Sequence, residues 1–415
     1  MTTLNNFCNT NMYNRFLSFM QIGLLGKANV GKSTFFSAAT ETPVPTGNFP
    51  FTTIEPNIGV AYVKDNCACK YFDIPHENPL CINKIRFIPV KLIDVAGLVP
   101  GAHEGKGLGI QFLDDARQAE VLIHVVDIAG TTDIQGQPVP IGTHDPLEDV
   151  EFVQNEFDQW FASILQREWD KITREIDQKR AKLTDGIAKR FTGLGIKDFQ
   201  VQEVLQKLNL ISKNPKEWSN SDIQIFVKEL RKNTKPIIIA ANKADLCEDL
   251  KIIKNIQDTI VVPCSAETEL LLRKASKAGI VNYSSGEGNF TIVENKDISS
   301  QQKKALDLVK TVFSKIKSTG IQKILNTAVF DSLKFIVVYP VEDETKLTNK
   351  DGDVLPDAKL LPRDSTARDL ATLIHADIAK GFLHAIDCKT KQRIGGDHKL
   401  KNGDVIKIVS TLSRG

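Results

Sequence analysis

Short apolar runs recur along the first part of the chain and again near its middle, and each is followed by polar or glycine-containing residues. Runs of about four to eight apolar residues bounded by turn-forming residues are typical of buried strands. The pattern predicts strands at 21–25, 90–93, 121–127 and 236–241, and a last strand that ends at the segment 261–267. A helical pattern at 34–40 follows the first strand, so the sequence indicates an α/β domain.

Between Asp127 and Pro236 the apolar residues recur every three or four positions, as in amphipathic helices. Helices are predicted at 147–183, 197–210 and 221–231. We expect this region to be an inserted helical hairpin or coiled-coil arm. Its basic residues either contact RNA or simply face solvent. They are Lys171, Arg174, Lys179, Arg180, Lys182, Lys189 and Arg190.

A different pattern begins after two more helical stretches, at 270–276 and 301–318. An alternating strand pattern at 332–341 is followed by a helical pattern at 367–375, which Ser365 or Thr366 would cap. Strands are predicted at 385–388 and 404–410, with a turn at Asn402-Gly403 between them. This arrangement predicts a small separate domain.

Composition limits the function classes. The 415 residues carry a net charge of +2, which gives no broad electrostatic attraction to nucleic acid, and no DNA partner is expected. No apolar stretch is long enough to span a membrane, and the seven unevenly spaced cysteines do not suggest a secreted disulfide framework. We expect a cytoplasmic protein. Residues 1–19 carry no pattern and are expected to be a flexible tail or an upstream start.

The segment from Gly26 to Ser33 reads Gly-Lys-Ala-Asn-Val-Gly-Lys-Ser, a complete phosphate-binding loop between a strand and a helix. Its backbone amides would surround the phosphates, Lys32 would reach the β- and γ-oxygens, and the Ser33 hydroxyl would bind Mg²⁺. The predicted nucleotide contacts of this loop are Gly26, Asn29, Val30, Gly31, Lys32, Ser33 and Thr34.

Three further motifs follow predicted strands. Asp94 could hold Mg²⁺ and the Gly97 amide could touch the γ-phosphate. Asn242, Lys243 and Asp245 form an Asn-Lys-x-Asp motif in which the Asp245 carboxylate can accept two hydrogen bonds from guanine, which adenine cannot offer. The segment Ser265-Ala266-Glu267 could cover the base with backbone amides. This order of motifs is specific for a GTPase.

A further motif lies between the phosphate loop and Asp94. Residues 48–57 read Asn-Phe-Pro-Phe-Thr-Thr-Ile-Glu-Pro-Asn. Together with the phosphate loop and Asp-Val-Ala-Gly-Leu-Val-Pro-Gly-Ala at 94–102, it resembles the Obg family of translation-associated GTPases, nearest to the YchF-like branch. The resemblance implies that Thr53, rather than Thr52, closes on Mg²⁺ and the γ-phosphate. It also implies that the C-terminal domain is a β-grasp TGS module, which either contacts RNA or the ribosome or is a structural lid.

The resemblance has one departure. YchF-like proteins are typically ATPases with an altered base-reading motif, but this chain keeps Asn242, Lys243 and Asp245. GTP and GDP are therefore expected, as in a relative of the archaeal kind with a large helical insert. The predicted organisation is a GTPase core at 20–138 and 233–330, a helical insertion at 139–232 and the TGS-like domain at 331–415.

The sequence offers several candidates for the group that positions the attacking water. Leu98 stands where many small GTPases have glutamine, and leucine cannot orient water. Asn29 could help hold a K⁺ ion that replaces an arginine finger, or it could only stabilise the loop. His103 and His124 are further candidates, although His103 could be a solvated loop residue and His124 a hydrogen-bonded core residue.

Four potential metal ligands lie between the first and second motifs: Cys67, Cys69, His76 and Cys81. Together they could hold Zn²⁺, but the same stretch also fits hairpin strands joined by a variable turn. The hairpin is the simpler interpretation of this stretch, because Cys-x-Cys is a tight pair for a metal site.

We conclude that the sequence predicts an α/β P-loop GTPase with slow Mg²⁺-dependent hydrolysis. Lys32, Thr53 and Gly97 are the predicted catalytic residues, and Ser33, Thr53 and Asp94 are the predicted metal ligands. The expected partner is the ribosome or ribosome-associated RNA, bound through the helical arm and the TGS domain. Two alternatives are an ATPase of the YchF type in stress or proteostasis, and a nucleotide-gated RNA-binding scaffold.

Overall fold

The computed structural model describes residues 20–40, 58–95, 116–178, 180–247, 249–294 and 298–412. A seven-stranded sheet forms the centre of the first domain, in the order β2-β4-β1-β5-β6-β7, with β3 paired to β4. Its strands are β1 (Gln21–Leu25), β2 (Ile58–Asn66), β3 (Cys81–Ile82), β4 (Ile85–Asp94), β5 (Val121–Asp127), β6 (Ile237–Asn242) and β7 (Val261–Pro263).

Parallel pairing brings the carboxyl ends of five strands to one edge of this sheet. Strand β1 pairs with β4 and β5, and β5, β6 and β7 pair in turn, all in parallel. The strands predicted from apolar runs are confirmed. In contrast, β4 begins earlier than predicted, at Ile85, and pairs antiparallel with the whole of β2 from Ile58↔Ile93 to Asn66↔Ile85. The ends of β1, β4, β6 and β7, at which the predicted motifs begin, therefore lie at one edge of the sheet.

Helices cover this sheet and close the domain. They are α1 (Lys32–Thr40), α2 (Cys69–Phe72), α8 (Ala266–Lys277), α9 (Ser300–Ile316) and α10 (Ile321–Asn326), numbered with the insertion helices α3 to α7. A two-stranded sheet, β8 (Val281–Asn282) and β9 (Thr291–Ile292), lies between α8 and α9.

The insertion is helical, as predicted, but its first helix is shorter. Its helices are α3 (Pro146–Gln166), α4 (Trp169–Asp177), α5 (Leu183–Arg190), α6 (Asp198–Lys207) and α7 (Asn220–Thr234). The predicted helix over 147–183 was therefore wrong. It is interrupted at Arg167 and Glu168, where the Glu168 amide donates to the Leu165 carbonyl, three positions back, at 3.3 Å. Trp169 then packs on Trp218, with ring centroids 5.0 Å apart.

These insertion helices share a core of their own. Phe161, Phe191 and Phe226 are completely buried in it, and the rings of Phe161 and Phe191 stack with centroids 5.4 Å apart. The burial explains why apolar residues recur at helical spacing along this region.

The C-terminal domain is a five-stranded sheet in the order β11-β10-β14-β12-β13. Its elements are β10 (Phe335–Val341), β11 (Lys359–Pro362), α11 (Ala367–Ile374), α12 (Ala376–Lys380), β12 (Phe382–Asp387), β13 (Gln392–Ile394) and β14 (Asp404–Ser410). Thr366 caps α11 in a capping box with Asp369, which decides between the two predicted caps.

One apolar core runs from the central sheet into this domain. It contains Val63 of β2, Ile321 and Leu325 of α10, and Val337 and Tyr339 of β10. The C-terminal domain is therefore packed directly on the first domain. Among the described residues, no helix is long and apolar enough to cross a membrane.

Candidate nucleotide-binding site

The predicted phosphate loop joins β1 to α1 and has the backbone conformation that its glycines allow. Gly31 has φ +91°, and a Cβ atom built there would lie 2.5 Å from Nδ2 of Asn242. Gly26 has φ +150°, and a Cβ there would lie 2.8 Å from the Val125 carbonyl oxygen. Only glycine fits both positions, so the loop can lie close to the neighbouring strands.

Helix α1 begins at Lys32 and places the positive end of its dipole at the loop. The Lys32 Nζ atom lies 2.5 Å from Oδ1 of Asp94 and 3.0 Å from the carbonyl oxygen of Val95. Two predicted site residues from β4 and the phosphate loop are thus brought together. Ser33 is exposed in the first turn of α1, and Thr34 is half-buried beside it.

Asn242 connects two of the predicted motifs through its buried side chain. Its Nδ2 donates to the Val30 carbonyl at 2.9 Å, and its Oδ1 accepts from the Ala266 amide at 3.0 Å. The phosphate loop, the Asn-Lys-x-Asp motif and the segment at 265–267 therefore form one network.

The segment at 265–267 begins α8. The Ser265 hydroxyl caps the helix by accepting from the Thr268 amide, and the Ser265 amide donates to the Thr319 carbonyl at 2.9 Å. The amides of Ser265 and Ala266 thus have intramolecular acceptors, while Glu267 is exposed. Their predicted contact with the base stays a prediction.

Asp245 is half-buried in the turn that follows β6. This turn is held by the Ala244 amide, which donates to the Cys264 carbonyl at 3.1 Å. The turn is therefore anchored to the end of β7. The role of Asp245 in reading guanine stays a prediction.

Lys243 has a partner that the sequence analysis missed. Its Nζ lies 2.9 Å from Oδ2 of Asp127 and 3.0 Å from the Asn29 carbonyl oxygen. Asp127 is fully buried and also accepts from the hydroxyls of Thr131 and Thr132. An acidic residue that closes the otherwise apolar strand β5 is the sequence feature that could have identified it, because a buried carboxylate requires a cation or several donors.

The connection between β5 and α3 covers the phosphate loop. Asn29 Nδ2 donates to the Gly136 carbonyl at 2.8 Å. Lys27 donates to the Thr132 carbonyl at 3.0 Å and forms a buried ion pair of 2.8 Å with Asp149 of α3. The Asn29 contact fits the loop-stabilising alternative, and no contact within the described ranges supports a potassium site.

His124 lies inside β5 and is 1% exposed. Burial, and secondarily the charge of Lys27, lower the pKa of His124 to about 3, so the imidazole is neutral near pH 7. Its Nδ1 has no hydrogen-bond partner within the described part of the chain. The residue is thus buried as the core alternative predicts, but without the expected hydrogen bond at Nδ1.

Several predicted residues lie outside the described ranges: Thr52, Thr53, Gly97, Leu98 and His103. Their roles in binding the metal, sensing the γ-phosphate or orienting water remain predictions from sequence.

Family models match three consecutive parts of the chain. Residues 21–156 match a 50S ribosome-binding GTPase model, residues 240–343 match the G4 motif-containing domain of Obg-like GTPases of the YGR210-like type, and residues 347–410 match the TGS domain. The matched ranges contain most of the central sheet and all strands of the C-terminal sheet.

Known proteins match over most of the chain. An uncharacterized GTP-binding protein of Methanocaldococcus jannaschii is 47% identical, over 94% of this chain and 98% of the relative. The crystal structure of a GTP-binding protein from Pyrococcus horikoshii has 40% identity and a TM-score of 0.73, and covers 94% of this chain and 100% of that chain. The ribosome-binding ATPase YchF of Bacillus subtilis is 26% identical, over 88% of this chain and 87% of the relative.

Proposed function

The chain belongs to the YchF-related, Obg-like family of GTP-binding proteins, and from this premise we propose that it is a Mg²⁺-dependent GTPase that associates with ribosomes. The observation that carries the proposal is the network around Asn242, which joins the phosphate loop to the base-reading motif and to the start of α8. A network of this kind holds the phosphate and base subsites in fixed relation.

The choice of GTP rests on the intact Asn-Lys-x-Asp motif. A carboxylate such as that of Asp245 only accepts hydrogen bonds, and guanine offers two adjacent donors on its base-pairing edge. Adenine would leave this acceptor without its partners, at a cost of about 1–3 kcal/mol. Selectivity for GTP would separate this chain from relatives that are named ATPases.

The residues present suit a magnesium ion. Ser33 is exposed in the first turn of α1, and Asp94 supplies a carboxylate at the end of β4. Asp94 is paired with Lys32 in the structure, and Lys32 would leave it for the phosphates when a nucleotide binds. Oxygen ligands of this type are preferred by Mg²⁺. Thr53 would complete the set, and the bound ion would neutralise charge on the phosphates.

Catalysis would depend on positioning and electrostatics rather than on a covalent step. Lys32 would bind the β/γ oxygens, and the Gly97 amide would contact the γ-phosphate. Because Leu98 cannot orient water, we expect slow turnover without a partner. A K⁺ ion near Asn29 is a further hypothesis, which a comparison of rates in K⁺ and Na⁺ at matched ionic strength tests.

Ribosome association is supported by the first family model and by the name of the Bacillus subtilis relative. The helical insertion and the TGS domain are the proposed contact surfaces. The Lys27–Asp149 ion pair joins the phosphate loop to the first turn of α3, so changes at the nucleotide could reach the insertion.

Pelleting with purified ribosomes tests this proposal. The full chain is centrifuged with ribosomes in the presence of GDP, GTP or a non-hydrolysable GTP analogue, and Lys32→Ala is included as a variant that should no longer bind triphosphate. We expect more protein in the pellet with the analogue than with GDP. Equal amounts in the pellet with every nucleotide would contradict a nucleotide-dependent ribosome partner.

An ATPase function is the second candidate, because the Bacillus subtilis relative is named a ribosome-binding ATPase. A nucleotide-gated RNA-binding scaffold is the third. Hydrolysis of GTP and of ATP, each measured with and without ribosomes, separates these alternatives from a GTPase.

A further inference from the structure

Four side chains that are spread over fifteen positions of the sequence converge between β2 and β4. They are Cys67, Cys69, His76 and Cys81, and one potential ligand atom from each lies within 4.8 Å of all the others. We propose that these residues form a Cys₃His site for a structural zinc ion. The site is separate from the nucleotide-binding residues, and the proposal does not depend on the proposed GTPase function.

The distances agree with tetrahedral coordination. For Zn–S bonds of about 2.3 Å and Zn–N bonds of about 2.0 Å, tetrahedral geometry places two sulfurs about 3.8 Å apart and a sulfur and a nitrogen about 3.5 Å apart. Cys69 Sγ lies 3.9 Å from Cys81 Sγ, and Cys67 Sγ lies 3.5 Å from His76 Nε2. All three cysteines are free thiols.

The local fold explains how the chain brings these ligands together. The Cys67 amide donates to the Lys84 carbonyl at 2.9 Å, which holds the end of β2 against the start of β4. Cys69 begins the one-turn helix α2, and Asp73 ends it with φ +49°. The chain returns through His76 to Cys81 in β3. The predicted hairpin strands are present, since β2 and β3 both pair antiparallel with β4, and the connection between them contains α2 and the four potential ligands.

A second hydrogen bond orients the histidine. Nδ1 of His76 lies 3.3 Å from the carbonyl oxygen of Val354. Because a carbonyl oxygen only accepts, Nδ1 must carry the proton, and the lone pair of Nε2 then points toward the cysteines. Zinc-binding histidines commonly use such an outer hydrogen bond to fix the tautomer and the ring orientation.

The charge around the cluster is complementary to a zinc–thiolate centre. Three thiolates, a neutral imidazole and Zn²⁺ carry a net charge of −1. Arg86 is directly opposite Cys81 across the β3–β4 pair and is 1% exposed. Its Nε and Nη1 have no hydrogen-bond partner within the described residues. A buried guanidinium requires compensating negative charge, which this centre would supply.

The cluster also lies where the core meets the TGS domain. His76 contacts Val354, Asn78 donates to the carbonyls of Leu355 and Pro356, and Arg86 Nη2 donates to the same two carbonyls at 2.7 and 2.9 Å. A zinc ion at this position would hold residues 67–82 in the conformation that binds residues 354–356. Its role is thus to stabilise the contact between the two domains.

Metal analysis of the full chain tests the proposal. The protein is purified under reducing conditions without chelators, and zinc is measured by inductively coupled plasma mass spectrometry. We expect about one zinc ion per chain. When Co²⁺ replaces this zinc, the protein should show the strong visible absorption of a tetrahedral thiolate site. A chain that contains no zinc and shows no such absorption with Co²⁺ overturns the site.

Ligand variants give a matched comparison. Cys69→Ser and His76→Ala should lose most of the zinc, whereas His76→Cys keeps a tetrahedral ligand set and should retain it. Cys247→Ser, outside the cluster, is the control and should bind zinc like the unmodified chain. Equal zinc content in Cys69→Ser and Cys247→Ser would also overturn the proposal.

Hydrogen exchange tests the structural consequence independently of nucleotide activity. Zinc is removed with a chelator, and amide exchange is followed at residues 74–82 and 352–358. We expect loss of protection in both segments, and its recovery when zinc is returned. Unchanged protection in these segments would rule out a zinc-stabilised domain contact.

Discussion

The ammonium group of Lys243 lies 2.9 Å from the carboxylate of Asp127, at the point where β5 and β6 end side by side. Lys243 also donates to the Asn29 carbonyl in the phosphate loop. The pair therefore joins the end of the central sheet to the two loops proposed to bind nucleotide. Asp127 is fully buried, so its contribution to the stability of the fold depends on keeping Lys243 as its partner.

We expect Asp127→Asn to lower stability and nucleotide affinity together. The substitution removes the buried negative charge that pairs with the half-buried Lys243. Breaking a fully buried pair costs about 3–5 kcal/mol, and the partial exposure of Lys243 should make the loss smaller than that. Denaturant unfolding measures the first effect and titration with a fluorescent GTP analogue the second. Asp307→Asn, which alters an exposed ion pair on α9, is the control and should change neither.

A comparison of two glycines tests the contact between the phosphate loop and the connection above it. Gly136 and Gly142 have similar φ values of +81° and +78°, so alanine is strained at both. A Cβ atom at Gly136 would lie 2.7 Å from Cβ of Ala28, whereas at Gly142 nothing lies within 4 Å. Gly136→Ala should weaken GTP binding, and Gly142→Ala should not. Equal affinities in the two variants would show that this contact does not shape the site.

The buried His124 predicts a pH dependence of stability. Its folded pKa of about 3 lies below the ordinary value of 6.5, so the unfolded chain binds this proton more readily. Above pH 6.5, neutral His124 makes its full contribution to the free energy of unfolding. This contribution is lost as the pH falls toward 3, by up to about 1.4 kcal/mol per pH unit. Unfolding free energies of His124→Leu at several pH values should lack this component. The exposed His398→Leu should keep it.

Sequence predicted most strands of the core well, since β5 and β6 are apolar along most of their length and β6 ends at Asn242, the first residue of a motif. It missed the first half of β4, where Arg86 and Pro89 interrupt the apolar run. Arg86 is tolerated there because the TGS domain supplies carbonyl acceptors, a tertiary effect that no local pattern contains. The break after α3 has a similar origin, because Arg167 and Glu168 are compatible with a helix and the packing of Trp169 on Trp218 is distant in sequence.

The arrangement of the candidate nucleotide-binding site was predicted only in part, because contacts between residues that are distant in sequence leave no local pattern. Residues within one motif, such as Lys32, could be identified from a contiguous pattern. Asp127 could have been noticed as the acidic residue that closes an apolar strand, but its pairing with Lys243 could not be predicted, because the two residues are 116 positions apart. The ligand cluster at 67–81 depends on the geometry of a single helical turn and a loop, which spacing alone does not determine.

Selectivity between GTP and ATP tests the central proposal most directly. Equilibrium affinities of non-hydrolysable GTP and ATP analogues are measured with Mg²⁺ on the unmodified chain and on Asp245→Asn, with Lys32→Ala as a control that should bind neither tightly. We predict that the unmodified chain prefers the GTP analogue by at least about ten-fold and that Asp245→Asn loses most of this preference, because the substituted amide can present a donor to the base. Equal affinity for the two analogues in the unmodified chain, or an unchanged preference in Asp245→Asn, would contradict the account.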